Sequence, residues 1–150
     1  MSLLGARLYD PPVAVTKSTA AALAMTALDT TNLRISFTVP ANGSVMVRLC
    51  GTVHGALTFP QILLGVMEGA TVKGRVAPHA DIGGTALATT MVNCEALFVV
   101  TGLTPGASLT WDAAYGVETL VASTGLKYGG GNDATANNAF GGFAYEIWDT

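Results

Sequence analysis

The sequence predicts an all-β protein: a single-domain antiparallel β-sandwich of jelly-roll type with an extended N-terminal arm. Three observations carry that prediction. Apolar residues recur with a period of two in separate stretches, as in Leu33, Ile35, Phe37 and Val39, in Leu109, Trp111, Ala113, Tyr115 and Val117, and in Phe143, Tyr145 and Ile147. Turn chemistry, Asn42-Gly43 and Pro105-Gly106, interrupts the strand-like runs. Only residues 17–28 carry helical propensity. Short strands, regular turn signals and almost no helix point to two packed sheets.

Taken in order, residues 1–16 read as the arm and residues 17–150 as the sandwich. Pro11 and Pro12 block a helix and hold Asp10 and Pro11 near extended geometry. Leu3, Leu4, Leu8 and Tyr9 are apolar without a period that would bury them locally. Such an arm lies on a neighbouring subunit or a larger surface, or else is a frayed terminus. Residues 17–28, KSTAAALAMTAL, combine helix-forming alanines with β-rich surroundings, and read as a short strand or a single helical turn.

Residues 33–49, LRISFTVPANGSVMVRL, are expected to form a β-hairpin. The alternation resumes after the turn with Val45, Val47 and Leu49, and Asn-Gly tolerates the positive φ of a tight reversal. Residues 61–67 (QILLGVM) are a continuous apolar run, expected as a strand covered on both faces, with residues 71–76 as a short polar partner and 78–84 as a loop. In residues 87–101, Val92, Cys94, Ala96, Phe98 and Val100 share a face opposite Asn93 and Glu95, and a phase change at Thr90-Met91 marks a bulge. The turn at 103–107 then leads into the alternation of 108–117, which predicts a second hairpin. Residues 129–142 (GGGNDATANNAFGG) read as a long exposed loop with Phe140 as an anchor. Phe143, Tyr145 and Ile147 make a last strand, with Ala144, Glu146 and Trp148 opposite.

The chain has 150 residues, half of them apolar and only 11% Asp, Glu, Lys or Arg, against roughly a quarter in an average soluble protein. No apolar run reaches the roughly 18 residues of a membrane span, and the first residues lack the pattern of a signal peptide. No membrane role is therefore expected. A chain this poor in charge hides surface most simply between subunits. The net charge of −3 and the scatter of seven Lys and Arg leave no basic patch for phosphate, so no nucleic-acid partner is expected either. Cys50 and Cys94 lie in apolar runs. A disulfide is one reading; two buried free thiols fit better without a secretion signal.

No constellation carries chemistry. The hydrolase elbow G-x-S-x-G is absent, and His54 and His79 sit on separate segments. Cys50, Cys94, His54, His79 and Asp81 show no metal-ligand spacing. Asp112 and Glu118 flank Trp111 and Tyr115 in a way that hints at a sugar site, but those aromatics share the apolar face with Leu109, which favours core packing. The glycines at 129–131 precede no phosphate-loop lysine. The expectation is a non-enzyme without catalytic, cofactor-binding or metal residues.

The segments LRISFTVPANGSVMVRL, GLTPGASLTWDAAYGV and the glycine-rich loop running into FGGFAYEIWDT together resemble small virion proteins of tailed bacteriophages. These are built on a trimeric jelly roll similar to the C1q and tumour necrosis factor heads. The resemblance runs from about residue 30 to the end, as a pattern of strands and turns. It implies either a capsid decoration (cement) protein or the head domain of a tail fibre or minor tail protein. Residues 1–29 contain no coiled coil, collagen-like repeat or shaft, which favours the decoration protein. The implied partners are two further copies in a homotrimer and the major capsid protein, on the outer surface of the virion. Under the tail alternative the partner is a host receptor or cell-wall glycan, met through loops 78–84 and 129–142. Expected subunit-interface residues are Val45, Val47, Leu64, Phe98, Trp111 and Tyr145. The expected capsid anchor is the arm, through Leu3, Leu4, Leu8, Tyr9, Pro11 and Pro12.

Overall fold

A computed structural model describes residues 1–54, 60–77, 91–120, 125–130 and 140–150. Among these the chain forms eleven strands and no helix, arranged as two antiparallel sheets. In the first, sheet A, the long strand β5 (Val45–His54) is central. The strand β8 (Met91–Val100) pairs with it over its whole length, from Val45 opposite Val100 to His54 opposite Met91. On its other side β11 (Phe143–Asp149) takes Val45 to Cys50, and β10 (Gly125–Tyr128) takes Thr52 to His54. The next position outward is shared in the same way, with β1 (Leu3–Tyr9) on β11 and β2 (Val15–Lys17) on β10.

Sheet B repeats this plan. Its centre is β9 (Ser108–Val117), flanked by β6 (Ile62–Glu68), with β7 (Thr71–Val76) beyond. On the other side β4 (Arg34–Thr38) covers Ser108 to Asp112 and β3 (Met25–Ala27) covers Ala114 to Gly116. Each such pair, β1/β2, β3/β4 and β10/β11, is one strand interrupted by an excursion. Counted that way the eleven segments are eight strands, four per sheet, in the orders β1/β2, β10/β11, β5, β8 and β3/β4, β9, β6, β7. Successive strands change sheet at every step except β6 to β7. This is the double Greek key of a jelly roll, and the predicted fold class holds.

Both expected hairpins are corrected by this topology. β4 and β5 lie in different sheets, as do β8 and β9. The turn residues do reverse the chain, but each connection is an arch that carries it across the core. The two arches are tied to each other: Val39 N–H donates to Ala107 O at 2.9 Å, Gly106 N–H to Val39 O at 2.9 Å, and Leu103 N–H to Gly43 O at 3.0 Å. Gly43 lies at φ +66°, and a Cβ there would meet Leu103 O at 2.6 Å. A hairpin and an arch leave the same alternation, because both point one face of each strand into the core. Among the described residues the hairpin that does form is β6 to β7, through Gly69 at φ +57°.

The inward faces agree with the periodicity. Leu33, Ile35, Phe37, Val39, Val45, Val47 and Leu49 are all buried, and Trp111 meets Phe37 edge-on at 4.9 Å between ring centroids. Each large side chain enclosed in this way contributes about 1.5–3 kcal/mol of transfer free energy. β6 is buried along most of its length, as the run at 61–67 predicts. Residues 18–24, within the segment of ambiguous propensity, are a turn rather than a helix. Its backbone is taken by β9 instead: Leu23 N–H donates to Val117 O and Leu28 N–H to Ala113 O, each at 2.8 Å.

The arm expected over residues 1–16 is likewise corrected, since β1 is hydrogen-bonded to β11 as the outer strand of sheet A. Gly5 permits this, because a Cβ there would lie 2.4 Å from Ile35 Cγ2. Pro11 is buried and its carbonyl accepts Gly130 N–H at 2.8 Å. The expected boundary at 16/17 falls inside β2. Both cysteines are free; Cys94 is buried and Cys50 half-buried, on opposite faces of adjacent strands. The loop at 78–84 with His79 and Asp81, the bulge position Thr90, and residues 131–139 of the glycine-rich loop lie outside the described residues.

Candidate interaction face

Residues opposed in an antiparallel ladder project on the same side of a sheet, so the register of sheet A gives the layout of its outer face. One row across the face is Val99, Met46, Trp148 and Leu3. The next is Leu97, Arg48, Glu146 and Ala6, and a third is Glu95, Cys50, Ala144 and Leu8. Four of these apolar residues are largely uncovered: Leu8 is 76% exposed, Leu97 59%, Val99 54% and Leu3 49%. Met46 and Trp148 are half-buried between them.

The polar groups on this face satisfy one another. Arg48 donates from Nε to Glu95 Oε1 at 2.5 Å, and its Nη1 lies 3.5 Å from both oxygens of Glu146. The hydrogen bond to Glu95, and then that carboxylate's charge, raise the guanidinium above its ordinary pKa. Trp148 Nε1 donates to Glu146 Oε2 at 3.1 Å, and Cys50 Sγ to Asn93 Oδ1 at 3.4 Å. The result is an apolar surface whose central charges are already paired within the chain.

The outer face of sheet B is different in kind. Arg34 grips Asp112 bidentately, Nε to Oδ1 at 2.7 Å and Nη2 to Oδ2 at 2.9 Å, and the hydroxyls of Ser36 and Thr110 meet at 2.8 Å. Lys73 bonds Glu68 at 3.1 Å, and Arg75 donates to the Leu23 carbonyl. This face has closed its own polar contacts and displays one large exposed apolar residue among its described strands, Val72 at 39%. The asymmetry singles out sheet A.

The expected interface residues do not form this face. Val45, Val47, Leu64, Trp111 and Tyr145 have no exposed surface in the single chain, and Phe98 packs against the same core beside Gly74. They point inward, and the opposite sides of the same strands, Met46, Leu97, Val99 and Trp148, make up the face. The signal for it is the presence of Leu97, Val99 and Trp148 at positions that alternation assigns to solvent. The expected anchor residues divide. Leu3 and Leu8 lie on the face, Leu4 and Tyr9 pack against the core, Pro11 is buried and Pro12 exposed. Trp111 and Tyr115 face the core while Asp112 faces out, so they make no sugar platform. Among the described residues no three His, Cys, Asp or Glu side chains gather as a metal site.

No family model matches the sequence, and no curated protein matches it. Among solved structures the chain is similar to VP2 of infectious bursal disease virus. One is a mutant VP2 from derived T=1 particles, with 12% identity, a TM-score of 0.27 and coverage of 96% of this chain and 36% of that one. The other is the VP2 subviral particle, with 15% identity, a TM-score of 0.24 and coverage of 97% and 38%. The chain therefore spans a little over a third of those VP2 chains.

Proposed function

We propose that this chain is a structural virion protein of a tailed bacteriophage, a decoration protein that assembles as a homotrimer and binds the outer surface of the major capsid lattice without catalysing a reaction. The supporting observation is the outer face of sheet A. Burying a charge is costly unless it is paired and hydrogen-bonded, and here Arg48, Glu95 and Glu146 are paired in place. Around them Leu97, Val99, Met46 and Trp148 gain from losing water. The face is therefore suited to burial against another copy of the chain. Leu3 and Leu8, at its margin, extend it toward the shell. The sparse charge of the whole chain fits the same reading, because a lattice repeats weak contacts and gains avidity from number.

Two measurements test this. Sedimentation of the purified protein is expected to give a trimer at micromolar concentration, and a stable monomer would refute the assembly. Undecorated heads of the phage that encodes the chain are expected to bind the labelled protein stoichiometrically. Failure to bind heads together with binding to host cell walls would move the protein to the tail as a receptor- or glycan-binding module.

A further inference from the structure

We propose that residues 1–17 are an exchangeable edge strand, donated to sheet A of a second copy, with residues 18–24 as the hinge. Three observations support this. The donated unit is hydrogen-bonded into the sheet at one border among the described residues, through the ladders of β1 on β11 and β2 on β10 and the Pro11–Gly130 bond between them. Its larger side chains are mostly outside: Leu3, Leu8 and Val13 are 49%, 76% and 76% exposed. A copy of the same strand arriving from a neighbour makes the same hydrogen bonds and seats the same Gly5, Tyr9 and Pro11, so exchange leaves the contact energy of the unit unchanged.

The hinge is the second observation. Leu23 sits at φ +62°, where an L residue with a Cβ is strained, and it is the one non-glycine residue with positive φ among the described residues. Thr19 Oγ1 donates within the turn to the carbonyls of Ala21 and Ala24 at 3.1 and 3.0 Å, and the turn is held to sheet B by Leu23 N–H to Val117 O and by Arg75 to the Leu23 carbonyl. Opening the hinge releases Leu23, and a strained connection of this kind favours exchange between copies.

The third observation is sequence. The hinge lies in KSTAAALAMTAL, whose alanines prefer a helix to the turn it adopts. Local preference and closed structure disagree here, and an opened hinge removes the conflict. Fully extended, residues 18–24 reach about 25 Å.

The test uses full-length chains carrying Cys50→Ser, so that this half-buried thiol does not interfere. One population carries Leu8→Cys and the other Ala144→Cys, positions opposed in the β1–β11 register; Ala6 and Glu146 serve instead if that pair closes better in a doubly substituted chain. Neither single variant closes this bond within itself, and both chains also carry Leu97→Lys to remove packing between outer faces of sheet A, so a disulfide between the two chains reports β1 of one copy on β11 of another. Mixed and oxidised, they are expected to give a crosslinked heterodimer at least fivefold above a control with Ser36→Cys on sheet B. Adding Leu23→Asn, which tolerates positive φ, is expected to lower the yield about threefold. A yield no higher than the control, with the bond still closing inside the doubly substituted chain, overturns the exchange. That result leaves the trimer through sheet A standing, since sedimentation reads it separately.

Discussion

Arg48 reaches diagonally across the β5–β8 ladder to Glu95, with 2.5 Å between Nε and Oε1, and it touches Glu146 on the opposite neighbour. One cation thus ties three strands together on the apolar outer face of sheet A. In the single chain the cluster is open to water, and screening limits such a pair to about 0–1 kcal/mol. In the proposed assembly through this face the same charges are buried. Arg48→Ala is therefore expected to change the monomer's urea midpoint little and to weaken association by about a hundredfold or more, because two carboxylates then lose their partner on burial. Equilibrium sedimentation over a concentration series reads the second effect. Association that is unchanged in the variant would remove the cluster from the interface.

Leu97→Lys makes a sharper distinction. Leu97 is 59% exposed, so the substitution is expected to alter folding stability by no more than about 0.5 kcal/mol. In the assembled state it adds an unpaired cation beside Arg48. The expected outcome is a monomer by light scattering with an unchanged circular dichroism spectrum, and loss of binding to heads. The same substitution at Val72, on sheet B, is expected to leave both intact.

Much of the fold was legible because alternation reports a face without reference to partners. Ile35, Phe37, Val47, Trp111 and Tyr145 all turn inward as their spacing says. Which strand each one pairs with is another matter. Pro40 to Ser44 and Leu103 to Ala107 read as hairpin turns because a reversal within a sheet and an arch between sheets use the same residues. Only the long-range bonds, Val39 to Ala107 and Leu103 to Gly43, decide between them. The apolar outer face was missed for a related reason. An assembly argument built on apolar surplus selects the strongest apolar residues, and those are the core of the chain itself. The informative residues were weaker signals at polar positions, Leu97, Val99 and Trp148. The strands β1 and β2 were hidden because their pairing depends on Gly5 and Pro11 fitting surfaces made by Ile35 and Gly129, more than a hundred residues away in the latter case.

Gly5 gives a prediction that tests how β1 is seated. A Cβ at this position falls 2.4 Å from Ile35 Cγ2, closer than packed atoms allow. Gly5→Ala is expected to destabilise the chain by about 1–3 kcal/mol, seen as a lower urea midpoint, with the loss concentrated in the protection of β1 and β11 amides from hydrogen exchange. Ile35→Ala removes Cγ2 itself, so Gly5→Ala should cost less in that background than in the native chain. Full additivity of the two would place β1 elsewhere.

The core hydroxyls are unequal. Tyr145 OH donates to Trp111 O at 3.4 Å, a long bond, whereas Tyr115 OH is buried with no hydrogen-bond partner among the described residues. A buried polar group without a partner costs its desolvation and returns nothing. Tyr115→Phe is therefore expected to be neutral or to stabilise by about 1 kcal/mol, raising Tm, while Tyr145→Phe lowers it slightly. Equal losses from both substitutions would mean that Tyr115 OH has a partner.

The two thiols should separate by pH. Burial, with a smaller contribution from Cys50, pushes the Cys94 thiol up from 9.0 to about 11. The unfolded chain then releases this proton at lower pH than the folded one. The sign follows from linkage: between pH 9 and about 11 the folded state binds more protons, so stability is full below that window and falls as pH rises through it. Cys94→Ala is expected to flatten that fall in a series of urea titrations. In the native protein near pH 8, an alkylating reagent should take Cys50, which is half-buried on the outer face, and spare Cys94 until denaturant is added. Assembly through sheet A covers Cys50 as well, so its labelling rate should drop with protein concentration in step with the sedimentation coefficient. A rate independent of concentration would mean that the third row of the face stays open to solvent.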